Sequence, residues 1–136
     1  MRILGIDPGL NKTGYGVVDV SSDSQELISF GVIRVPGGML SERLLFIFNR
    51  LTDIILETRP ERAVVEKVFV NVNPQSTLLL GQARGSAICA AAANGLQVHE
   101  YTPTEIKKAV AGFGQADKQS VQSMVTRLLR LEKAPP

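Results

Sequence analysis

The sequence predicts an α/β domain with five strands, and three observations carry that prediction. Three β-leaning runs joined by short polar links fill the first 35 residues, the apolar spacing turns helical after the GGML segment that ends at Leu40, and strand-like runs return at 62–70 and 96–101 with a second helical segment between them. The coarse order is β-β-β-α-β-α-β-α-α, with no internal repeat and no linker that would divide the chain.

RILGID and TGYGVVDV are the first two runs, separated by the loop chemistry of PGLNK, and ELISFGVIRV follows the polar turn SSDSQ. Such short links favour an antiparallel meander. Leu44, Phe48, Leu51 and Ile55 then recur at helical spacing, with Ile47 and Ile54 beside them, in a helix that Ser41 is placed to cap and Pro60 to stop. RAVVEKVFV at 62–70 reads as a central strand. A strand reached through a helical crossover pairs parallel, so this one is expected parallel to one of the first three.

A helix over 75–93 follows, ended by Asn94-Gly95 and rich in small residues: Gly81, Ala83, Gly85, Ala87 and 89–93. Small side chains suit a helix that another backbone must approach closely. LQVHEY is the fifth strand. Thr102-Pro103 opens a further helix, GFGQA breaks it, and KQSVQSMVTRLLRLEK resumes with Val121, Met124, Val125 and Leu128 as its apolar stripe.

At 136 residues, 44% of them apolar and 21% charged, the chain has the size and composition of one globular domain, and a disordered chain, an isolated coiled coil and a collagen-like repeat are excluded. The net charge of +2 neither proves nor excludes a nucleic-acid partner. Its distribution says more: residues 1–68 carry 8 basic and 9 acidic side chains, residues 69–136 carry 7 and 4. The single cysteine, Cys89, excludes an internal disulfide, and no zinc spacing occurs. Neither a signal-peptide pattern nor a bilayer-length apolar run is found, so cytoplasmic residence and no membrane association are expected.

Two acids stand out by position. Asp7 ends the first strand directly before Pro8-Gly9, and Glu66 sits in the middle of an otherwise apolar strand. A carboxylate in a buried strand is costly unless it is paired, hydrogen bonded or bound to metal. Were the two strands neighbours, Ile3, Gly5 and Asp7 would share a face with Val64, Glu66 and Val68, and a hard divalent cation such as Mg²⁺ would relieve the repulsion between the two carboxylates. The plainer alternative has Asp7 accepting backbone N–H groups in its turn, and Glu66 facing outward or pairing with an arginine.

ILGIDPGLNKTGYGVV, VVEKVF, LLLGQARG and YTPTEIKKAVAGFGQADKQSVQSMV, in that order, resemble the RuvC family of Holliday junction resolvases over nearly the whole chain. The resemblance implies a ribonuclease-H-like fold, a mixed five-stranded sheet flanked by helices, in a single nuclease domain over 1–136. It implies a structure-selective endonuclease that makes paired nicks in a four-way DNA junction, leaving 5′ phosphate and 3′ hydroxyl ends. Implied partners are a second copy in a homodimer and the branch-migration proteins RuvA and RuvB.

For residues, the resemblance makes Asp7 and Glu66 the first two of four acidic ligands for two Mg²⁺ ions, with Mn²⁺ a substitute. Lys107 and Lys118 take catalytic and DNA-contact roles, as mobile point charges suited to a phosphate. Phe69 is placed near the junction bases, and Lys108 and Arg84 are further candidates for DNA contact, Arg84 with the alternative role of bracing the small-residue helix. Gly81, Gly85, Ala87 and Cys89 mark the implied dimer interface. The family's remaining acids form a DxxD-like pair on a final helix, whereas the acids here after Glu66 are Glu100, Glu105, Asp117 and Glu132. The expectation is a member without its C-terminal acidic segment, with a catalytically idle junction-binding dimer as the alternative activity.

Overall fold

The computed structural model describes residues 1–20, 25–67 and 73–101, with the side chains of residues 20, 25, 66 and 101 outside that description. The elements are β1 (Arg2–Asp7), β2 (Lys12–Val20), β3 (Gln25–Arg34), α1 (Leu40–Thr58), β4 (Arg62–Glu66), α2 (Pro74–Ala93) and β5 (Gln97–Tyr101). They build one mixed sheet in the order β3-β2-β1-β4-β5. The first three strands form the expected meander, and β4 lies parallel to β1 and to β5. Short links permit antiparallel neighbours, whereas the α1 and α2 crossovers carry the chain back to start a parallel strand. The helices expected from TPTEIKKAV and KQSVQSMVTRLLRLEK lie outside the described residues.

Alternation along the strands decides which side meets the helices. Leu4 and Ile6 of β1, Val17 of β2, Ile33 of β3, and Ala63 and Val65 of β4 are buried in one core with Ile47, Leu51, Ile54 and Ile55 of α1. Burial of each large aliphatic side chain contributes roughly 1.5–3 kcal/mol. The helical stripe read from the sequence is therefore the packed one, with Leu44 and Phe48 at its half-buried margin.

The start of α1 departs from expectation. Its N-cap is Met39, which offers no side-chain bond, and Ser41 already lies inside the helix. Gly38, at φ 139°, turns the chain so that the cap falls two residues before Ser41, and Glu42 sits in the first turn where a carboxylate favours the helix dipole. At the other end Arg59 adopts the left-handed conformation and donates its N–H to Ile55 O before Pro60.

The strand expected over 62–70 also differs: β4 ends at Glu66, Lys67 is outside it, and 68–70 lie outside the described residues. Glu66 is thus the last residue of its strand rather than a mid-strand acid.

α2 is capped by Asn73, whose Oδ1 accepts from the N–H groups of Gln75 and Ser76, with Pro74 at the first helical position. Its small residues act as expected on one face: Ala83, Ala87, Ala90 and Ala91 are fully buried, and Ser86 Oγ donates to the backbone Leu44 O of α1 at 2.6 Å. A methyl group in place of a larger side chain lets the two helices meet.

Candidate active site

β1 and β4 run side by side in the register Ile3↔Arg62 to Ile6↔Val65. Asp7 and Glu66 each follow the last of those pairs by one residue, so both acids end adjacent parallel strands. Ile6 and Val65 point into the helix-covered core at 1% and 0% exposure. By alternation the Asp7 and Glu66 positions belong to the opposite face, as do Gly5 and Val64. The sequence expectation that these strands are neighbours with their acids in one row is met by the backbone. Val68 lies outside the described residues.

Asp7 is half-buried, its Oδ2 is shielded from solvent, and its cross-strand partner is Gly14. A methyl group at Gly14 would stand 3.8 Å from Asp7 Cβ, so the glycine leaves room beside the carboxylate. The turn that follows Asp7 is held twice. Buried Thr13 uses one hydroxyl to accept from Gly9 N–H at 3.1 Å and to donate to Gly9 O at 2.8 Å. Arg43, from α1, donates through Nη2 to Leu10 O at 3.1 Å and to Asn11 Oδ1 at 2.6 Å. Gly9 is required here, because a Cβ would lie 2.2 Å from Lys12 O.

Thr13 and Arg43 were not legible as site residues in the sequence. The first reads as an ordinary β-branched strand residue, and the second as a solvated position in a helix.

Other expected residues fall elsewhere. Arg84 forms an ion pair with Glu100, its side chain 17% exposed. Glu100 is register partner to Val65, so this pair lies on the helix-covered side of the sheet, away from the Asp7 row. The geometry favours the bracing role for Arg84, tying α2 to β5. Gly81, Gly85 and Cys89 are exposed along α2, whereas Ala87 is buried in the chain's own core and cannot meet a second chain. Its place in the interface set is corrected accordingly. Phe69, Lys107, Lys108 and Lys118 lie outside the described residues.

The donor chemistry fits hard divalent cations: two carboxylate positions in one row, with space beside the first. Among the described residues no group of three or more His, Cys, Asp or Glu side chains could hold a metal by itself. Nor, among those residues, is any helix long and apolar enough to cross a membrane.

Residues 3–136 match the family described as RuvC, crossover junction endodeoxyribonuclease. The chain belongs to the RuvC family. A RuvC of Burkholderia cenocepacia, named crossover junction endodeoxyribonuclease, is 57% identical over 135 residues, which cover 99% of this chain and 75% of that protein. The relative from Burkholderia multivorans is 55% identical over the same length. Among solved structures, Thermus thermophilus RuvC in complex with a Holliday junction substrate superposes with a TM-score of 0.75 at 30% identity, covering all of this chain and 84% of that one. The yeast mitochondrial Holliday junction resolvase Ydc2, at 15% identity and a TM-score of 0.61, shares the fold, over 90% of this chain and 61% of its own. The RuvC fold is ribonuclease-H-like, as the sequence resemblance implied.

Proposed function

We propose that this chain is a Holliday junction endonuclease that nicks paired strands by phosphodiester hydrolysis, leaving 5′ phosphate and 3′ hydroxyl ends. The observation that carries the proposal is the placement of Asp7 and Glu66 at the ends of adjacent parallel strands, on one face, in a member of the RuvC family. Asp7 and Glu66 would hold divalent cations, Mg²⁺ by preference and Mn²⁺ as a substitute. Such ions, when bound, supply positive charge that activates the attacking water and steadies the leaving 3′ oxygen.

The chain's own residues do the positioning. Thr13 and Arg43 fix the turn behind Asp7, so its carboxylate projects from a restrained backbone rather than a free loop. Lys107 and Lys118 are assigned to meet the phosphate charge, Lys108 to contact the DNA backbone and Phe69 to contact junction bases. The whole of 1–136 is read as one nuclease domain.

The dimer is assigned to the outer face of α2. Leu78 is 63% exposed there, and added methyl groups at Gly81 and Gly85 would meet nothing within 4 Å. Each mid-helix glycine costs about 1 kcal/mol relative to alanine, and packing among the described residues does not require either one. A second α2 backbone approaching that face supplies the reason, and two-fold symmetry suits a four-way junction. Family membership supports action beside RuvA and RuvB, in the cytoplasm.

The test is cleavage of a synthetic four-way junction in Mg²⁺ by this sequence carried on a family-length chain. Asp7→Asn and Glu66→Gln should each abolish cleavage while leaving junction binding in place. Full cleavage by either variant would remove the acid row from the mechanism.

A further inference from the structure

The same sheet face that carries Asp7 carries a second feature that the nuclease reading leaves unused. Lys12 opens β2 and Arg34 closes β3, and the two are direct cross-strand partners. Alternation through Gly14, which pairs with Asp7, puts both cations on the Asp7 face. Lys12 lies two residues beyond Gly14, toward the open end of the sheet. From strand geometry its Cα stands about 8 Å from that of Asp7.

Like charges placed directly opposite on a sheet destabilise it, and both side chains are exposed. Three other cations of the described residues are matched: Arg2 pairs with Asp19, Arg50 with Asp53 and Arg84 with Glu100. Among the described residues neither Lys12 nor Arg34 has an acidic partner. Their backbone is also fixed, because Val35 N–H donates to Asn11 O and Arg43 holds the Asn11 side chain. Two adjacent cations on a fixed backbone beside a row of nuclease acids, with no acidic partner among the described residues, are matched by an anion that straddles both.

We propose that Lys12 and Arg34 form a phosphate-binding edge that takes the sugar-phosphate backbone of the junction strand where it runs outward from Asp7. The inference rests on the junction-nuclease reading and adds two contacts on the β2–β3 side of the site, opposite to β4. At about 3.4 Å of axial rise per phosphate, the 8 Å offset places the contacted phosphate roughly two nucleotides from the one at Asp7. Contacts of this kind fix strand register and carry no base preference.

The experiment measures junction binding by this chain against salt, using fluorescence anisotropy and a synthetic four-way junction. Each lost phosphate contact should lower the log–log salt slope by about 1. Lys12→Gln with Arg34→Gln should therefore flatten the slope by one to two units and weaken binding about tenfold at 100 mM salt, equally for junctions of different sequence. Arg50→Gln, on exposed α1, should leave the slope alone, and the charge-keeping Lys12→Arg with Arg34→Lys should retain it. The double Gln variant should also melt at or above wild type, since repulsion is removed.

Wild-type slope and affinity in the double Gln variant would overturn the phosphate edge while the junction reading stands. A variant that melts well below wild type would overturn it too, by showing that the pair holds the fold. No junction binding by the wild-type chain at low salt would sink both readings together.

Discussion

The hydroxyl of Thr13 serves both backbone groups of Gly9, accepting from its N–H and donating to its carbonyl, from a side chain with no solvent exposure. The turn between Asp7 and β2 is thereby closed on itself. Thr13→Val keeps the shape and removes the hydroxyl, leaving two backbone groups unserved, and should destabilise the chain by roughly 1–3 kcal/mol in urea unfolding. Cleavage should fall further than stability accounts for, by about tenfold or more, because Asp7 leaves the same turn. Thr13→Ser should restore both; a Val variant with wild-type cleavage would show that the turn does not position the acid.

At the far end of β1, Arg2 grips Asp19 with two hydrogen bonds, Nε to Oδ1 at 2.8 Å and Nη2 to Oδ2 at 2.9 Å, and donates Nη1 to Thr58 O at 2.7 Å. The hydrogen bond from Arg2 holds the Asp19 carboxyl below its ordinary range and raises the Arg2 guanidinium. A carboxylate with a lowered folded pKa stabilises the fold above its unfolded pKa, and that contribution disappears as pH falls through the folded value. Asp19→Asn should thus be less stable than wild type near pH 7, and the gap should close below the carboxylate range. Melting curves from pH 7 to pH 2 check this; a constant gap would place the effect in packing rather than charge.

The two faces of α2 should respond oppositely to one substitution. Gly85→Arg points outward into open space and should leave the fold intact while converting a dimer to a monomer in sedimentation at tens of micromolar. Ala87→Arg forces a long cation into a fully buried position and should prevent folding outright. Cys89, the one cysteine, is exposed on this helix, so mild oxidation should link two chains through it if the outer faces meet. A monomeric wild type with no cross-link would remove α2 from the interface.

What was legible in the sequence was what local pattern encodes. The meander, the α1 stripe and the α2 limits followed from turn residues, apolar period and caps, and Asn94-Gly95 does end α2. Connection rules placed β4 parallel to one of the first three strands; that this neighbour is β1, which makes the row of Asp7 and Glu66, is settled by the sheet itself. Long-range geometry was not legible. Nothing local says that Thr13 would fold back on Gly9, or that Arg43, more than 30 residues later, would reach Asn11. Ala87 was misplaced because a small residue reads alike on either face of a helix, and only the packed core separates it from Gly85. Ser41 failed as a cap because the chain turns at Gly38 and the helix is capped two residues sooner, at Met39.

Taken as a polypeptide, these 136 residues should fold, since the five-stranded sheet and its two helices bury one continuous core. They should nevertheless cleave a four-way junction no faster than Asp7→Asn carried on a family-length chain. Asp7 and Glu66 supply two ligand positions, and the acids after Glu66 form no DxxD-like pair. A pair of ions must be held in register about 3.5–4 Å apart, and a misplacement of about 1 Å costs on the order of a hundredfold in rate. Joining the C-terminal quarter of the Burkholderia cenocepacia relative to residue 136 should restore cleavage in Mg²⁺ and in Mn²⁺, with EDTA abolishing it. Single-turnover rates on a synthetic junction decide the matter. Cleavage by the 136 residues alone at the rate of the joined chain would mean that Glu105, Asp117 or Glu132 completes the site, and the four-carboxylate reading would fall.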